Sequence, residues 1–202
     1  MTFSGVFGTQ VTSEMIEQTL TDKNLEGTSD LDIRHSSSAS SLGIGTSALE
    51  DSSGNFTTAV GVEALKENTT GDQNTAVGNI ALRDNTTADK STAVGFSALL
   101  LSNAIGNTAV GSQTLDANTS GTYNTAMGFA ALGSNASGNY NVAIGGLRAM
   151  TSCVSGVGNV AIGGYKALDA LDDGSYNVAI GHNAGGVIEG GSSNVLIGRS
   201  AG

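Results

Sequence analysis

Hydrophobic and polar positions alternate along this chain over short runs and then stop. In Val142-Ala143-Ile144 the outer two residues point to one side and Ala143 to the other. A period of two specifies a strand rather than a helix. Three and four residues after the glycine that closes such a run comes a small–large pair, as in Ala64-Leu65, Ala81-Leu82 and Ala98-Leu99. A polar connector such as "NTTGDQ" or "NTSGTY" then leads into the next run. Aligned on the closing glycine, the phrase recurs at Gly45, Gly61, Gly78, Gly95, Gly111, Gly128, Gly145, Gly163, Gly181 and Gly198, at spacings of 16, 17 or 18 residues. Ten units of about 17 residues fill the chain from Ser40 to its last residue. Self-similarity at such a period marks a solenoid, in which each repeat contacts only its neighbours.

The predicted fold class is therefore all-β, a parallel β-solenoid of about ten 17-residue coils. Each coil is expected to hold a strand, a corner, a second short strand and another corner. Rungs spaced by about 4.8 Å would give a rod of roughly 45–50 Å. Glycine and asparagine in the connectors are expected at the corners, where they tolerate positive φ. Two units carry a second glycine, Gly146 or Gly164, and their small–large pairs slip to Ala149-Met150 and Ala167-Leu168. An extra residue beside a glycine predicts a bulge or a widened corner. One column also changes along the array, from Thr58, Thr75, Thr92, Thr108 and Thr125 to Val142, Val160, Val178 and Val195. Placed on an internal face, that column would make the C-terminal half drier and more tightly held.

Composition sharpens this picture. Glycine accounts for 30 of 202 residues, aromatics for 4%, and there is no Trp or Pro, whereas hydrophobic residues still make up 39%. Such a chain fits a thin layered structure better than a core of large side chains, and better than disorder. The net charge of −10 argues against nucleic acid or an anionic membrane surface as partner. No stretch approaches 18 consecutive apolar residues, so no membrane insertion is expected. The start, "MTFSGVFGTQ", lacks the basic residues and apolar run of a secretory signal. Synthesis in the cytoplasm is expected, with any surface location reached through assembly into a particle.

Residues 1–39 do not repeat and are read as an N-terminal segment and linker preceding the repeat domain, 40–202. "VTSEMIEQTLTDKNL" predicts a short helix capped by Thr12 or Ser13, with Met15, Ile16 and Leu20 as one apolar stripe. That stripe is too small to fold alone. Two readings stand side by side: a segment docking on a larger assembly, and a cap for the solenoid. At the other end the chain stops in mid-phrase at "NVLIGRSAG", and a further C-terminal partner or a tip is expected there.

Candidate chemistry is sparse. His35 lies in the linker and His182 at a corner position shared with Ser112, Phe129 and Arg199, so a solvent-facing role is expected. Cys153, the only cysteine, excludes an intrachain disulfide and reads as a buried, idle thiol. Asp72, Asp89, Asp116 and Asp173 do not all share one repeat position, as recurring calcium ligands would. Five N-x-[ST] sequons begin at Asn55, Asn68, Asn85, Asn118 and Asn135 because the connector recurs, and no modification is expected there. No catalytic, cofactor or metal site is expected, and an enzyme is the least favoured class.

A coil this thin carries apolar residues on both sides of its strand. One side packs inside; the other needs cover, for which another copy of the chain is the simplest source. The phrases "NVAIG" at 141–145, 159–163 and 177–181 and "NTAVG" at 74–78 and 107–111 resemble the head repeats of trimeric autotransporter adhesins. The longer phrase G-x-x-N-T-A-x-G-x-x-A-L is similar to repeats of bacteriophage tail-fibre and virion-fibre proteins. The resemblance covers residues 40–202, in units longer than the typical adhesin head repeat. It implies a left-handed parallel β-roll of three intertwined chains, a homotrimer. The function expected is that of a virion structural protein: a rigid fibre or spike, attached to another virion protein through residues 1–39 and supporting adhesion to a host surface receptor. Alternatives are the head of a bacterial trimeric adhesin and, from the threonine column, an ice-binding solenoid.

Overall fold

The computed structural model describes residues 33–35, 40–50 and 52–202. Eleven strands form one sheet in chain order. Strand β1 (Ile33–His35) pairs antiparallel with β2 (Leu42–Ile44). From β2 onward every pairing is parallel, through β3 (Thr58–Val60), β4 (Thr75–Val77), β5 (Thr92–Val94), β6 (Thr108–Val110), β7 (Thr125–Phe129), β8 (Val142–Leu147), β9 (Val160–Ile162), β10 (Val178–Ile180) and β11 (Val195–Ile197). The protein is a parallel β-solenoid whose ten parallel strands mark nine turns of about 17 residues. The described residues contain no helix. The predicted helix over Met15, Ile16 and Leu20 lies outside them.

Register follows the sequence alignment. Thr58 pairs with Thr75, Ala59 with Ala76, Val60 with Val77, and the same phase holds to β11. The extra glycine is taken up as predicted. Phe129 pairs with Leu147 although Met127 pairs with Ile144, so Gly145 and Gly146 together oppose Gly128. A coil one residue short is handled differently. In regular coils the Thr69 and Thr70 N–H groups both donate to the Thr86 carbonyl, at 2.8 and 3.1 Å. In the 16-residue coil after Gly95, the Asn103 side-chain Oδ1 accepts from Thr86, Thr87 and Ala88 N–H at 3.3, 3.0 and 3.2 Å. A carboxamide oxygen stands where the missing main-chain carbonyl would.

Three expectations are corrected. First, each coil has one strand, not two. The far wall is a series of turns tied to the next coil, as by Leu65 N–H to Ala81 O at 3.0 Å and Leu82 N–H to Ala98 O at 3.0 Å. Second, the Thr-to-Val column faces outward. From β3 to β10 the inward strand residue is alanine, and Ala59, Ala76, Ala93, Ala109, Ala126, Ala143, Ala161 and Ala179 are fully buried; Gly43 and Leu196 take that place in β2 and β11. The coil is so thin that a leucine from the far wall fills it, leaving room on the strand for a methyl group alone. Among the described residues, 18 of 28 buried apolar positions are alanine and eight are leucine. This core is shallow, and its stability comes from repetition and backbone pairing as much as from buried area.

Third, corners and glycines have exchanged roles. Among the described residues, left-handed φ falls on 25 non-glycine positions, including Leu65, Ile80, Tyr123 and Lys90. Each costs roughly 1–2 kcal/mol relative to the right-handed form. Connector glycines are needed instead for space. A Cβ on Gly71 would lie 2.4 Å from Ala88 O and 2.5 Å from Asn68 Oδ1. Seven of the ten repeat-closing glycines meet both demands; Gly95 has φ +136°, and its Cβ would lie 2.4 Å from Gly111 O, whereas Gly198, at φ +125°, has open space. Gly145 and Gly163 lack the positive φ, because Gly146 and Gly164 widen their corners.

The connector asparagines are buried. Asn124 N–H donates to Asn107 Oδ1 at 2.9 Å, and Asn124 Nδ2 donates to Gly138 O at 2.7 Å. Asn141, Asn159 and Asn177 repeat both bonds. A second column joins Asn85 Nδ2 to Asn68 Oδ1 and Asn135 Nδ2 to Asn118 Oδ1, each at 3.0 Å. Among the described residues ten asparagines are fully buried. Buried amides are tolerated because they are bonded, and each one ties a coil to its neighbour.

Candidate functional site: the outer sheet face

The strand geometry builds one face. With alanine inward, the residues on either side of it point out: Thr58 and Val60, Thr75 and Val77, continuing to Val195 and Ile197. Two corner columns flank them. Before the strand stand Phe56, Tyr123, Tyr140 and Tyr176, all exposed. After it stand Val62, Phe96, Phe129, Leu147 and Tyr165, also exposed. Of the 19 large exposed apolar residues described, only Leu101, Val154 and Val187 lie elsewhere.

Aromatic rings on this face lean along the axis. Tyr123 and Tyr140 stack with centroids 5.5 Å apart and planes 8° from parallel. A Cβ on Gly106 would touch the Tyr123 ring at 2.7 Å, so that glycine gives the ring its seat. Tyr165 stacks on His182 at 5.4 Å, and Lys166 Nζ lies 5.5 Å from the Tyr165 centroid. His182 is exposed, as its corner position predicts.

Charge is nearly absent from these columns. In a chain of net charge −10 they hold no Asp or Glu, only Lys90 and Arg199. The acids among the described residues lie outside these columns, and there Asp72 Oδ1 accepts from Asn55 N–H at 2.6 Å and Asp89 Oδ1 from Asp72 N–H at 2.8 Å. These carboxylates cap backbone donors. Burial raises the Asp116 carboxyl above its ordinary value. Among the described residues no group of three or more His, Cys, Asp or Glu could hold a metal ion, and no helix is long and apolar enough to cross a membrane.

The ten repeat-closing glycines sit together, each under the next, and form the hinge line between strand and following corner. Cys153 is fully buried, and burial pushes its thiol up from 9.0 to about 11. It occupies the second asparagine column, one coil beyond Asn135. Four sequons, at Asn68, Asn85, Asn118 and Asn135, are closed to a glycosylating enzyme in the folded chain because those side chains line the interior. Sequence reasoning missed the asparagine columns. The signal is present, as Asn at fixed phase in almost every unit, but asparagine in a polar connector equally suits turn chemistry. No family model, curated protein or solved structure matches the chain.

Proposed function

We propose that this chain is a structural fibre or spike protein of a virus particle, most simply a bacteriophage, with no catalytic role. It forms a rigid homotrimeric rod that is fixed through residues 1–39 to another virion protein and supports adhesion to a host surface. The observation that carries this reading is the uninterrupted parallel stacking of β2 to β11 in one sheet. Backbone bonds along the axis make a stiff element, and bending it would strain every rung. The uncovered apolar sheet face supports association of copies. Two measurements test the reading. Light scattering of the purified chain is expected to give about three times the 20.0 kDa chain mass. Deleting residues 1–39 is expected to leave the rod folded and to abolish its incorporation into the particle. Undiminished incorporation would refute the attachment role.

A second reading is favoured by one observation. The threonine column Thr58, Thr75, Thr92, Thr108 and Thr125 lies on the outer face in direct register. A flat, uncharged, regularly spaced hydroxyl-and-methyl array suits binding to ice. Thermal hysteresis in a freezing assay would favour this reading, and its absence would remove it.

A further inference from the structure

We infer that the outer sheet face is where a second copy of this chain seats, and that the grip is graded, with the four C-terminal rungs holding and the threonine rungs following. This rests on the fibre reading and adds the surface and its polarity.

Size comes first. Ten rungs at about 4.8 Å and a face about 20 Å wide give on the order of 850 Å² per copy. That matches the roughly 800 Å² that each partner buries in a standard interface. Spacing comes second. The side-chain columns repeat once per rung, so a partner able to meet every rung must carry the same repeat. A second copy does so by construction. Charge comes third. Eighteen acids against eight bases make copies repel one another, but none of the acids among the described residues lies in the columns of this face. Repulsion elsewhere directs contact to the one face that lacks carboxylates.

The grading is visible in two columns of that face. In β3 to β7 the outward pairs are Thr with Val or Met, as Thr75 and Val77. In β8 to β11 they are Val with Ile, as Val160 and Ile162 or Val178 and Ile180. Each change replaces a hydroxyl, which water holds, with a methyl, and adds a methylene beside it. The Val/Ile rungs therefore gain more from leaving water than the Thr/Val rungs.

The test compares two full-length variants by light scattering and sedimentation over a concentration series. Ile162→Glu with Ile180→Glu charges the C-terminal rungs; Val77→Glu with Val94→Glu charges the threonine rungs. All four positions point outward, and folding is checked by the β-type circular dichroism spectrum and by continued protection of the buried Cys153 thiol. The wild-type chain is expected to associate. The C-terminal pair is expected to raise the dissociation midpoint at least 100-fold, to a folded monomer at micromolar concentration. The threonine-rung pair is expected to raise it less than tenfold. Equal shifts, or a larger shift from the threonine-rung pair, would overturn the grading. A wild-type monomer at every concentration would overturn the interface itself. Unaltered assembly of the interface variants into particles, with 1–39 still required, would leave the fibre reading standing and reject the interface alone.

Discussion

Coils before β8 and coils after it share one backbone path and differ in what lines it. Outside, Thr125 gives way to Val142. Inside, the column Asn68, Asn85, Ser102, Asn118 and Asn135 gives way to Cys153, Leu171 and Ile188. Both changes fall between the same two coils, and the 18-residue coils with their second glycine begin there as well. In the first region, side-chain amides hydrogen-bond from coil to coil. In the second, aliphatic contact replaces the amides of that column, while the other column continues through Asn159 and Asn177 to Asn194. The comparison teaches that the stacking requires a close approach at the glycines and one column of hydrogen-bonding side chains, in which Ser41 and Ser91 stand in for asparagine. The rest of the interior can be polar or oily.

The sharpest way to break that common requirement is at a closing glycine. Gly95→Ala would place a methyl 2.4 Å from Gly111 O at φ +136°, and is expected to destabilise by more than about 3 kcal/mol in urea unfolding followed by circular dichroism. Gly164→Ala has nothing within 4 Å of its added carbon and is expected to stay within about 0.5 kcal/mol. Next in size is the shared amide column. Asn124→Ala leaves the Asn141 N–H without its acceptor and takes from the Gly138 carbonyl the shorter of its two side-chain donors, with an expected loss of about 2–4 kcal/mol. A loss under about 1 kcal/mol would show the column to be incidental.

The boundary can be moved by one coil. Asn135 Oδ1 is buried with no partner, and Cys153 stands where an asparagine would donate to it. Cys153→Asn is expected to extend the amide column and raise stability by up to about 1 kcal/mol; a fall would show that the C-terminal side excludes amides. The thiol also predicts a pH effect. Its folded pKa lies above the unfolded value, so the neutral form favoured by burial contributes fully below pH 9.0 and that contribution is lost as pH rises through about 11. Cys153→Ala should flatten the unfolding midpoint over that window. A small effect is also expected at an exposed left-handed corner. Lys90→Gly relieves φ +59° and should change stability by under about 1 kcal/mol, in the favourable direction.

The repeat, its phase and the bulge at Gly146 were legible because spacing in the sequence becomes pairing in a solenoid, residue for residue. Which side of the strand faces in was not. Val-Ala-Ile reads as two large residues hiding and one small residue exposed, and that rule fails when the opposite wall is so near that only alanine fits. Nor were the left-handed corners legible, since Leu65 and Tyr123 carry no intrinsic preference for that conformation. Stacking imposes it on them. The face was inferred as an unsatisfied apolar side before its residues were correctly assigned, so its existence was readable and its composition was not.

Asn103 shows how forgiving such a scaffold is of copying errors. A coil can lose a residue, and one side chain, bent back to stand in for a peptide group, keeps every later strand in phase. A gene that gains or drops whole phrases therefore changes only the reach of its product. Length becomes a trait that slippage during replication can tune without reinventing the fold.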